Sequence, residues 1–400
     1  MKDNQAKYPQ LRFKGFTDPW EQRKLGEIAI RVRGNDGRMN LPTLTISAGN
    51  GWMDQRDRFS QNIAGKEQKN YTLLRQGELS YNHGNSKLAQ FGAVFELESY
   101  NEALVPRVYH SFSVTAGAQP KFIEQMFATH RPDRELRKLV SSGARMDGLL
   151  NINYDDFMGI KVWLPSVAEQ QAIAGLLVKL DNTIALHQRK LAKLKELKQG
   201  YLQKLFPRNG SKFPQLRFAG FADAWEQRKL GDVVGEIQSG NRLPKDSLTS
   251  GNIPYVVAQT KNEGVFKTIS KKTLDYNGNP MKLFPGNSIS FSIDNPKAMF
   301  YRSTEFYTSN IMRVIHADYL SHQQYLFILE NMKSFTRRYD WSRKFSGPVV
   351  SNLEYLQPNE QEQCKIGSFI LAFDNIITLH QRKLEKLQEL KKGYLQKMFC

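Results

Sequence analysis

The sequence predicts an α+β protein in which two mixed α/β domains are separated by two long repeated helices that pair as a coiled coil. Three observations lead to this fold class: the chain is internally duplicated, each copy ends in a long heptad pattern, and the intervening stretches mix strand-like and helix-like runs. The duplication predicts a pseudo-twofold relation between the halves. The expected parts are a first domain 1–163 with repeat block 9–26, a first helix 164–208, a second domain 209–357 with repeat block 214–231, and a second helix 358–400.

Two pairs of blocks carry the duplication. Residues 9–26 and 214–231 agree at 15 of 18 positions, and residues 180–206 and 373–399 agree at 20 of 27. The stretches between these blocks show almost no alignment. The repeated parts are therefore expected to have the same role in both halves. The two variable parts are expected to have different versions of a second role.

The repeated helices show apolar positions at alternating steps of four and three residues, which is a heptad seam. The first copy runs through Ile173, Leu177, Leu180, Ile184, His187, Leu191, Leu194, Lys198, Tyr201 and Leu205. About 37 residues at about 1.5 Å each predict a helix of roughly 55 Å. Such a helix must bury its seam against a partner, and the obvious partner is its duplicate. The polar seam positions, among them His187, are interpreted as fixing the register rather than as binding a metal.

The variable stretches predict one fold built twice. In the first, TLLRQGELSYN, GAVFEL and VPRVYHSFSV read as strands, while KFIEQMFATH and RELRKLVSSG read as helices. In the second, IPYVVAQT, LFPGNSISFSI and NIMRVI read as strands, and YLFILENMKSFTRRY reads as a helix. Both are expected to share a fold and to differ in their surfaces.

Composition points to a polyanionic partner. The 400 residues include 57 Lys and Arg against 39 Asp and Glu, a formal net charge of +18, and they are 40% hydrophobic. A folded protein with this charge is expected to bind nucleic acid. No apolar run is long enough to predict a membrane span, and the first residues do not resemble a secretory signal. With only Cys364 and Cys400, neither a disulfide framework nor a zinc site is expected, and the expected location is the cytoplasm.

A search for catalytic motifs finds none, so no catalytic residue and no metal site are predicted. The nearest match to a methyltransferase Asn/Asp-Pro-Pro-aromatic turn, Asp18-Pro19-Trp20, lacks the second proline, and its repeat is Asp223-Ala224-Trp225. No phosphate-binding G-x-x-x-x-G-K-[ST] loop is present. Three alternatives remain open: a protein-binding coiled-coil adaptor, a fused DNA-modifying enzyme and an RNA-binding protein.

Polar and basic loop residues of the variable domains are the candidate DNA contacts. Arginine pairs with guanine edges, Asn and Gln pair with adenine, and contact with phosphate is about equally expected. In the first domain the candidates are Arg31, Arg33, Asn35, Arg38, Asn82, His83, Asn85, Lys87 and Arg145. In the second they are Gln238, Asn241, Arg242, Lys245, Asn295, Lys297, Arg343 and Lys344.

The repeated motifs together resemble the specificity subunit of a type I restriction–modification system. They are the WEQRKLG block of each half, the Leu164-Pro165 and Glu169-Gln170 helix start with its second copy Gln357-Pro358 and Glu362-Gln363, and the LHQRKL…GYLQK helices. The resemblance implies two target-recognition domains that each read half of a bipartite, asymmetric double-stranded DNA site. The two long helices would pack as an antiparallel coiled coil and act as the spacer between them.

The same resemblance implies the partners of this chain. Two copies of a methyltransferase (modification) subunit would dock on it and methylate adenine N6 with S-adenosylmethionine. A translocase–nuclease (restriction) subunit that uses ATP and magnesium would complete the complex. The chain itself would be non-catalytic and would hold no cofactor.

Overall fold

The computed structural model describes residues 7–59, 65–84, 86–140, 149–208, 210–242, 250–337 and 339–400. These residues form two compact units, of which the first comprises Met1–Gln188 with Lys383–Cys400 and the second comprises Arg189–Arg382. Each unit mixes helices and strands, so the predicted α+β class is confirmed. Each long helix contributes one portion to each unit.

The first unit is built on short antiparallel strands and short helices. Its strands are β1 (Glu21–Lys24), β2 (Ala29–Val32), β3 (Leu44–Ser47), β4 (Gly51–Asp54), β5 (Thr72–Arg75), β6 (Leu79–Asn82), β7 (Ala93–Glu96), β8 (Glu102–Val105), β9 (His110–Val114) and β10 (Lys161–Leu164). Its short helices are α1 (Gln55–Phe59), α2 (Pro120–Ala128), α3 (Asp133–Leu139) and α4 (Tyr154–Met158), followed by the long helix α5 (Val167–Leu205). The central sheet has the order β2-β9-β6-β7, beside the pairs β1-β10, β3-β4 and β5-β8.

The second unit repeats the plan with different details. Its strands are β11 (Glu226–Lys229), β12 (Gln238–Ser239), β13 (Ser250–Val256), β14 (Val265–Ile269), β15 (Ser288–Ser292), β16 (Met299–Arg302), β17 (Tyr307–Thr308), β18 (Met312–Ile315) and β19 (Glu354–Gln357). Its helices are α6 (Leu230–Val234), α7 (His322–Thr336), α8 (Gly347–Ser351) and the long α9 (Glu360–Lys397). The central sheet order is β12-β18-β15-β16, beside the sheet β14-β13-β17 and the pair β11-β19.

Aromatic clusters form the two cores. In the first unit, Trp20 meets Phe122 and Phe399 edge to face, with ring centroids 5.8 and 6.2 Å apart. In the second unit, Trp225 meets Phe327 and Phe206 in the same way, at 5.7 and 6.1 Å. The tryptophan of each repeat block therefore packs against the end of one long helix, which joins the two kinds of repeated block in a single core.

Within each unit the two long helices run antiparallel. In the first unit, Lys391 Nζ of α9 lies 2.6 Å from Asp181 Oδ1 of α5. In the second, Lys198 Nζ lies 2.6 Å from Asp374 Oδ1, and the Tyr201 ring meets that of Phe369 edge to face. The polar seam lysines therefore pair with an aspartate of the facing helix, which fits a role in fixing the register.

Candidate nucleic-acid interface and the frames that carry it

The first and last strands of each unit pair as a two-stranded antiparallel ribbon. Strand β1 pairs with β10, which places Glu21 opposite Leu164. Strand β11 pairs with β19, which places Glu226 opposite Gln357. When each residue of the first ribbon is replaced by its repeat counterpart in the second half, the two registers are identical. We call the repeat block, its ribbon and the attached helix ends of one unit a frame.

A buried ion pair fastens each repeat block to the start of a long helix. Arg12 Nε and Nη2 donate to Glu169 Oε1 and Oε2, each at 2.7 Å. In the second frame Arg217 Nε and Nη2 donate to Glu362 Oε1 and Oε2 at 2.8 and 2.7 Å. Both carboxylate side chains are only 1% exposed. These bidentate bonds explain why the Arg of the block and the Glu of the helix start are repeated together.

The end of a long helix completes each frame. The Leu11 amide donates to the Lys397 carbonyl at 2.8 Å in the first unit. The Leu216 amide donates to the Lys204 carbonyl at 2.9 Å in the second. Each bond satisfies a carbonyl of the last helical turn, which has no partner within its helix. The two frames thus present the same local structure, although the domains built on them differ.

Arg31 and Arg33 lie at one edge of the central sheet in the first unit. Arg31 is exposed on β2, and its guanidinium lies 4.1 Å from the ring centroid of Tyr154. This contact holds the guanidinium plane over an aromatic face while its edge stays in solvent. Arg33 follows the strand and is exposed.

Two other candidates of the first domain are held by internal bonds. The Asn35 amide donates to the carbonyls of Arg38 and Gln68 at 2.9 and 3.2 Å. The Arg38 guanidinium donates to Glu102 at 2.6 and 3.0 Å and to Asp36 at 2.8 Å. These two carboxylates raise the pKa of Arg38. Both side chains therefore shape the loop, and Arg38 has little capacity left for a base.

Asn82 and His83 also make internal contacts. Asn82 Nδ2 donates to the Ile46 carbonyl at 3.3 Å, and its Oδ1 accepts from the Gly84 amide at 3.1 Å. His83 is buried, with Nδ1 2.7 Å from the Leu150 carbonyl and Nε2 2.9 Å from the Val108 carbonyl. The buried His83 ring has no free edge for a base, so its role is structural.

Lys87 remains available at the rim of a depression of about 430 Å³. Asn82 and the exposed Arg58 line the same depression, and Arg58 Nη1 donates to the Ile46 carbonyl at 3.2 Å. Arg58 was missed in the sequence because it lies within helix α1, and only loop residues were taken as candidates. Asn85, Arg145 and, in the second domain, Lys245 lie outside the described residues.

In the second unit, the candidates of the first loop likewise include a side chain held by internal hydrogen bonds and an exposed arginine. Gln238 lies in β12, opposite Val314. Asn241 Nδ2 donates to Asp275 Oδ2 at 3.0 Å, and its Oδ1 accepts from the Lys282 amide at 2.9 Å. The exposed Arg242 guanidinium lies 4.6 Å from the ring centroid of Tyr276.

The last four candidates of the second domain lie on two adjoining loops. The Phe345 amide donates to the Ile293 carbonyl at 2.9 Å, which joins the loops. Lys344 Nζ lies 4.0 Å from Asp294 Oδ1, and Lys297 and Arg343 are exposed beside them. Asn295 Nδ2 donates to the Ala258 carbonyl at 3.3 Å. Three cations are thus brought to one place, and Asn295 braces the loop as Asn82 does in the first unit.

Among the described residues, no group of three His, Cys, Asp or Glu side chains could hold a metal ion, and no helix is apolar enough over sufficient length to cross a membrane. Burial lowers the pKa of His110 to about 4 and raises that of Glu96 to about 7. His110 stacks on His83 with centroids 4.9 Å apart and bonds to the Ile152 carbonyl, so its perturbation follows from core packing.

The two matching frames carry two unlike loop surfaces, and each surface has an arginine held over a tyrosine ring.

Comparison with known proteins shows what this chain is similar to. Residues 222–389 match the family model described as the type I restriction modification DNA specificity domain. The type I restriction enzyme MjaVIII specificity subunit of Methanocaldococcus jannaschii is 23% identical over 276 residues, which cover 63% of this chain and 64% of that protein. The putative MjaX specificity subunit of the same organism is 23% identical over 258 residues, covering 60% and 59%. The match therefore spans less than two thirds of either relative.

Two solved structures share the fold over almost the whole chain. The crystal structure of a type I restriction–modification S subunit from M. genitalium has a TM-score of 0.63 at 14% identity and covers 98% of this chain and 99% of that one. A chain from a structural study of complex assembly and conformational transition of the type I R-M system has a TM-score of 0.54 at 13% identity, covering 97% and 99%. Residues 222–389 are thus similar to the type I restriction modification DNA specificity domain, which agrees with the resemblance identified from the repeated blocks.

Proposed function

We propose that this chain is the non-catalytic specificity subunit of a type I restriction–modification complex and binds double-stranded DNA. Each variable domain reads one half of a bipartite, asymmetric site. The observation that carries this proposal is the duplication itself, because two matching frames carry loop surfaces that differ. Identical readers would fit a symmetric site, whereas unlike readers fit two different half-sites.

The charge distribution supports DNA as the ligand. The net charge is +18, and exposed cations such as Arg33, Lys87, Lys297 and Arg343 lie on the loops of the variable domains. Lysine and arginine at such positions neutralise phosphates and release counterions. Arg31 and Arg242, held over tyrosine rings, are the best placed of the candidates to offer a guanidinium edge to guanine.

The partners follow from the same proposal. Two copies of a modification subunit bind the chain and methylate adenine N6, and a restriction subunit with translocase and nuclease activity completes the complex in the cytoplasm. S-adenosylmethionine, ATP and magnesium bind to those subunits and not to this chain. The purified chain alone is then expected to show neither methyl transfer nor DNA cleavage.

Methylome sequencing tests the two-reader proposal in a host that carries this chain with its modification subunit. The wild type is expected to give one bipartite motif. If the two arginines contact base edges, Arg31→Ala should relax bases in one half only, and Arg242→Ala should relax bases in the other half only. Lys190→Ala, an exposed change on a long helix, is the control and should leave the motif unchanged.

Either arginine variant could contradict the proposal. If both altered the same half-site, or if the wild-type motif were a single uninterrupted sequence, the two domains would not read separate halves. A gel shift with duplex DNA and with RNA distinguishes the remaining alternatives, because a protein adaptor binds neither and an RNA-binding protein prefers RNA.

A further inference from the structure

The turn that joins β13 to β14 has an uncommon backbone conformation. Asn262 and Glu263 both have a φ of 49°, a region that residues other than glycine rarely occupy, with Asn among the exceptions. Two successive residues with positive φ are the pattern of a type I′ hairpin turn, whose second position is ordinarily glycine. The glycine of this turn, Gly264, comes one residue later. Glu263 therefore holds a strained conformation at a position where a side chain is unfavourable.

Side chains beneath the turn fix this conformation. Arg302 Nη2 donates to the Glu263 carbonyl at 2.5 Å, and its Nε donates to Ser290 Oγ at 2.8 Å. Arg302 is only 7% exposed, and no described residue forms an ion pair with it. Gln259 Nε2 donates to the Val265 carbonyl at 3.2 Å from the other side of the turn. Backbone strain that several contacts maintain is typical of functional sites.

The turn adjoins the loop that carries the candidate DNA contact Lys297. Asn295 Nδ2 of that loop donates to the Ala258 carbonyl at 3.3 Å, which joins the loop to the connection between β13 and β14. In the first unit, Asn82 Nδ2 donates to the Ile46 carbonyl at 3.3 Å, just before the turn between β3 and β4. In both units a hairpin turn is therefore tied to the loops that carry candidate DNA contacts.

The Glu263 carboxylate lies free at this surface. The residue is exposed, and its carboxylate has no hydrogen-bond or ion-pair partner within the described part of the chain. Phosphates repel such a carboxylate, so it does not contribute to binding the DNA backbone. In the major groove, however, Glu and Asp accept a hydrogen bond from the amino group of cytosine, N4. The adenine amino group, N6, offers the same kind of donor.

We propose that Glu263 is a specificity-determining residue of the second variable domain, whose carboxylate accepts a hydrogen bond from the amino group of a cytosine or an adenine in the major groove. Arg302 is the positioning residue that holds the turn. This inference rests on the proposed function, and it adds a residue that reads a base as an acceptor, whereas Arg242 reads as a donor. It also explains why the strain is retained, because the glycine that would relieve it has no carboxylate.

A glycine variant separates the strain from the recognition in the full-length chain co-produced with its modification subunit. Glu263→Gly relieves the strain, so the thermal midpoint of the second unit should rise by about 2–4 °C. Methylome sequencing should at the same time show one relaxed base position, in one half-site only. Asn262→Gly is the matched control, because it relieves strain in the same turn and keeps the carboxylate; its motif should equal that of the wild type. Arg302→Met should relax the same position as Glu263→Gly.

Base analogues test the amino group directly, by fluorescence anisotropy with the same complex. At the relaxed position, 2-pyrimidinone in place of cytosine, or purine in place of adenine, removes the amino group from the base edge. The wild type should bind the analogue duplex about tenfold more weakly than the natural duplex, and Glu263→Gly should bind both equally. Glu263→Gly should also bind unrelated duplexes more tightly than the wild type, because a charge that repels phosphate is gone.

A second acidic residue controls for the change in net charge. Glu305 is exposed and lies 3.3 Å from Lys271 Nζ, which follows the end of β14 away from the turn. Glu305→Gln should leave the discrimination between the natural and the analogue duplex unchanged.

The outcomes separate this inference from the proposed function. If Glu263→Gly leaves every position of the motif unchanged, or if the wild type binds the analogue duplexes as tightly as the natural one, Glu263 does not read a base and the proposed function stands. If Arg302→Met keeps the discrimination that Glu263→Gly loses, Arg302 does not position the turn. If the wild type gives no bipartite motif, the proposed function fails and this inference fails with it.

Discussion

Replacing Arg217 by methionine should destabilise the second unit strongly, because it leaves a buried carboxylate without its partner. Arg217 donates two hydrogen bonds to Glu362, at 2.8 and 2.7 Å, and the Glu362 side chain is 1% exposed. Methionine keeps most of the side-chain length and removes the charge. The change thus isolates the ion pair from the packing around it.

The expected loss is about 3–5 kcal/mol, the usual cost of removing one partner from a buried ion pair. Because about 1 kcal/mol lowers the midpoint of a domain of this size by about 2–4 °C, the transition of the second unit should move down by roughly 6–20 °C. Converting both members to apolar residues should recover most of this loss, since no buried charge then remains.

Differential scanning calorimetry of the full chain measures the effect. The set is Arg217→Met, Glu362→Leu and the double variant, with Arg12→Met as the matched change in the first unit, where Glu169 is equally buried. Arg12→Met should lower the transition of the first unit by a similar amount. The reasoning is refuted if Arg217→Met costs under about 1 kcal/mol, the size expected of an exposed pair. It is also refuted if the double variant is no more stable than the single ones.

Three further outcomes are expected. As pH falls from 6.5 to 4, the free energy of unfolding of the first unit should decrease by up to about 2 kcal/mol, because burial lowers the pKa of His110 to about 4 and only the unfolded chain binds a proton at this histidine. In urea unfolding, the stability of His110→Gln should depend less on pH. Burial raises the pKa of Glu96 to about 7, so the stability that its protonated form contributes is lost as pH rises through 7. Glu96→Gln should therefore stabilise the first unit at pH 8 by about 1 kcal/mol, and an unchanged urea midpoint at that pH would contradict this. DNA affinity should fall steeply with salt, and Arg242→Ala should either cost about 1–3 kcal/mol at one base position or reduce the log–log salt slope by about 0.9, as fluorescence anisotropy titrations measure; no effect on either removes Arg242 from the interface.

Local pattern in the sequence was sufficient for the helices and most strands. The heptad seam predicted the helices Val167–Leu205 and Glu360–Lys397, and the aromatic and branched runs predicted strands such as Leu79–Asn82 and Ser288–Ser292. The strand Glu21–Lys24 was not predicted, because its four residues Glu-Gln-Arg-Lys have no alternation of apolar and polar side chains. It becomes a strand by pairing with Lys161–Leu164, far along the chain.

The sequence by itself determined that one frame is built twice and carries two different surfaces, because comparing the two halves of the sequence shows both the repeated blocks and the divergent stretches between them. Only the tertiary structure decided which polar loop residues are free. Arg38 and Arg33 read alike in the sequence, but Glu102 engages the first and leaves the second exposed. Asn241 is likewise held by Asp275. A donor is available to DNA only if no acceptor of the folded chain has already taken it, and those acceptors lie many residues away, where local pattern carries no information about them.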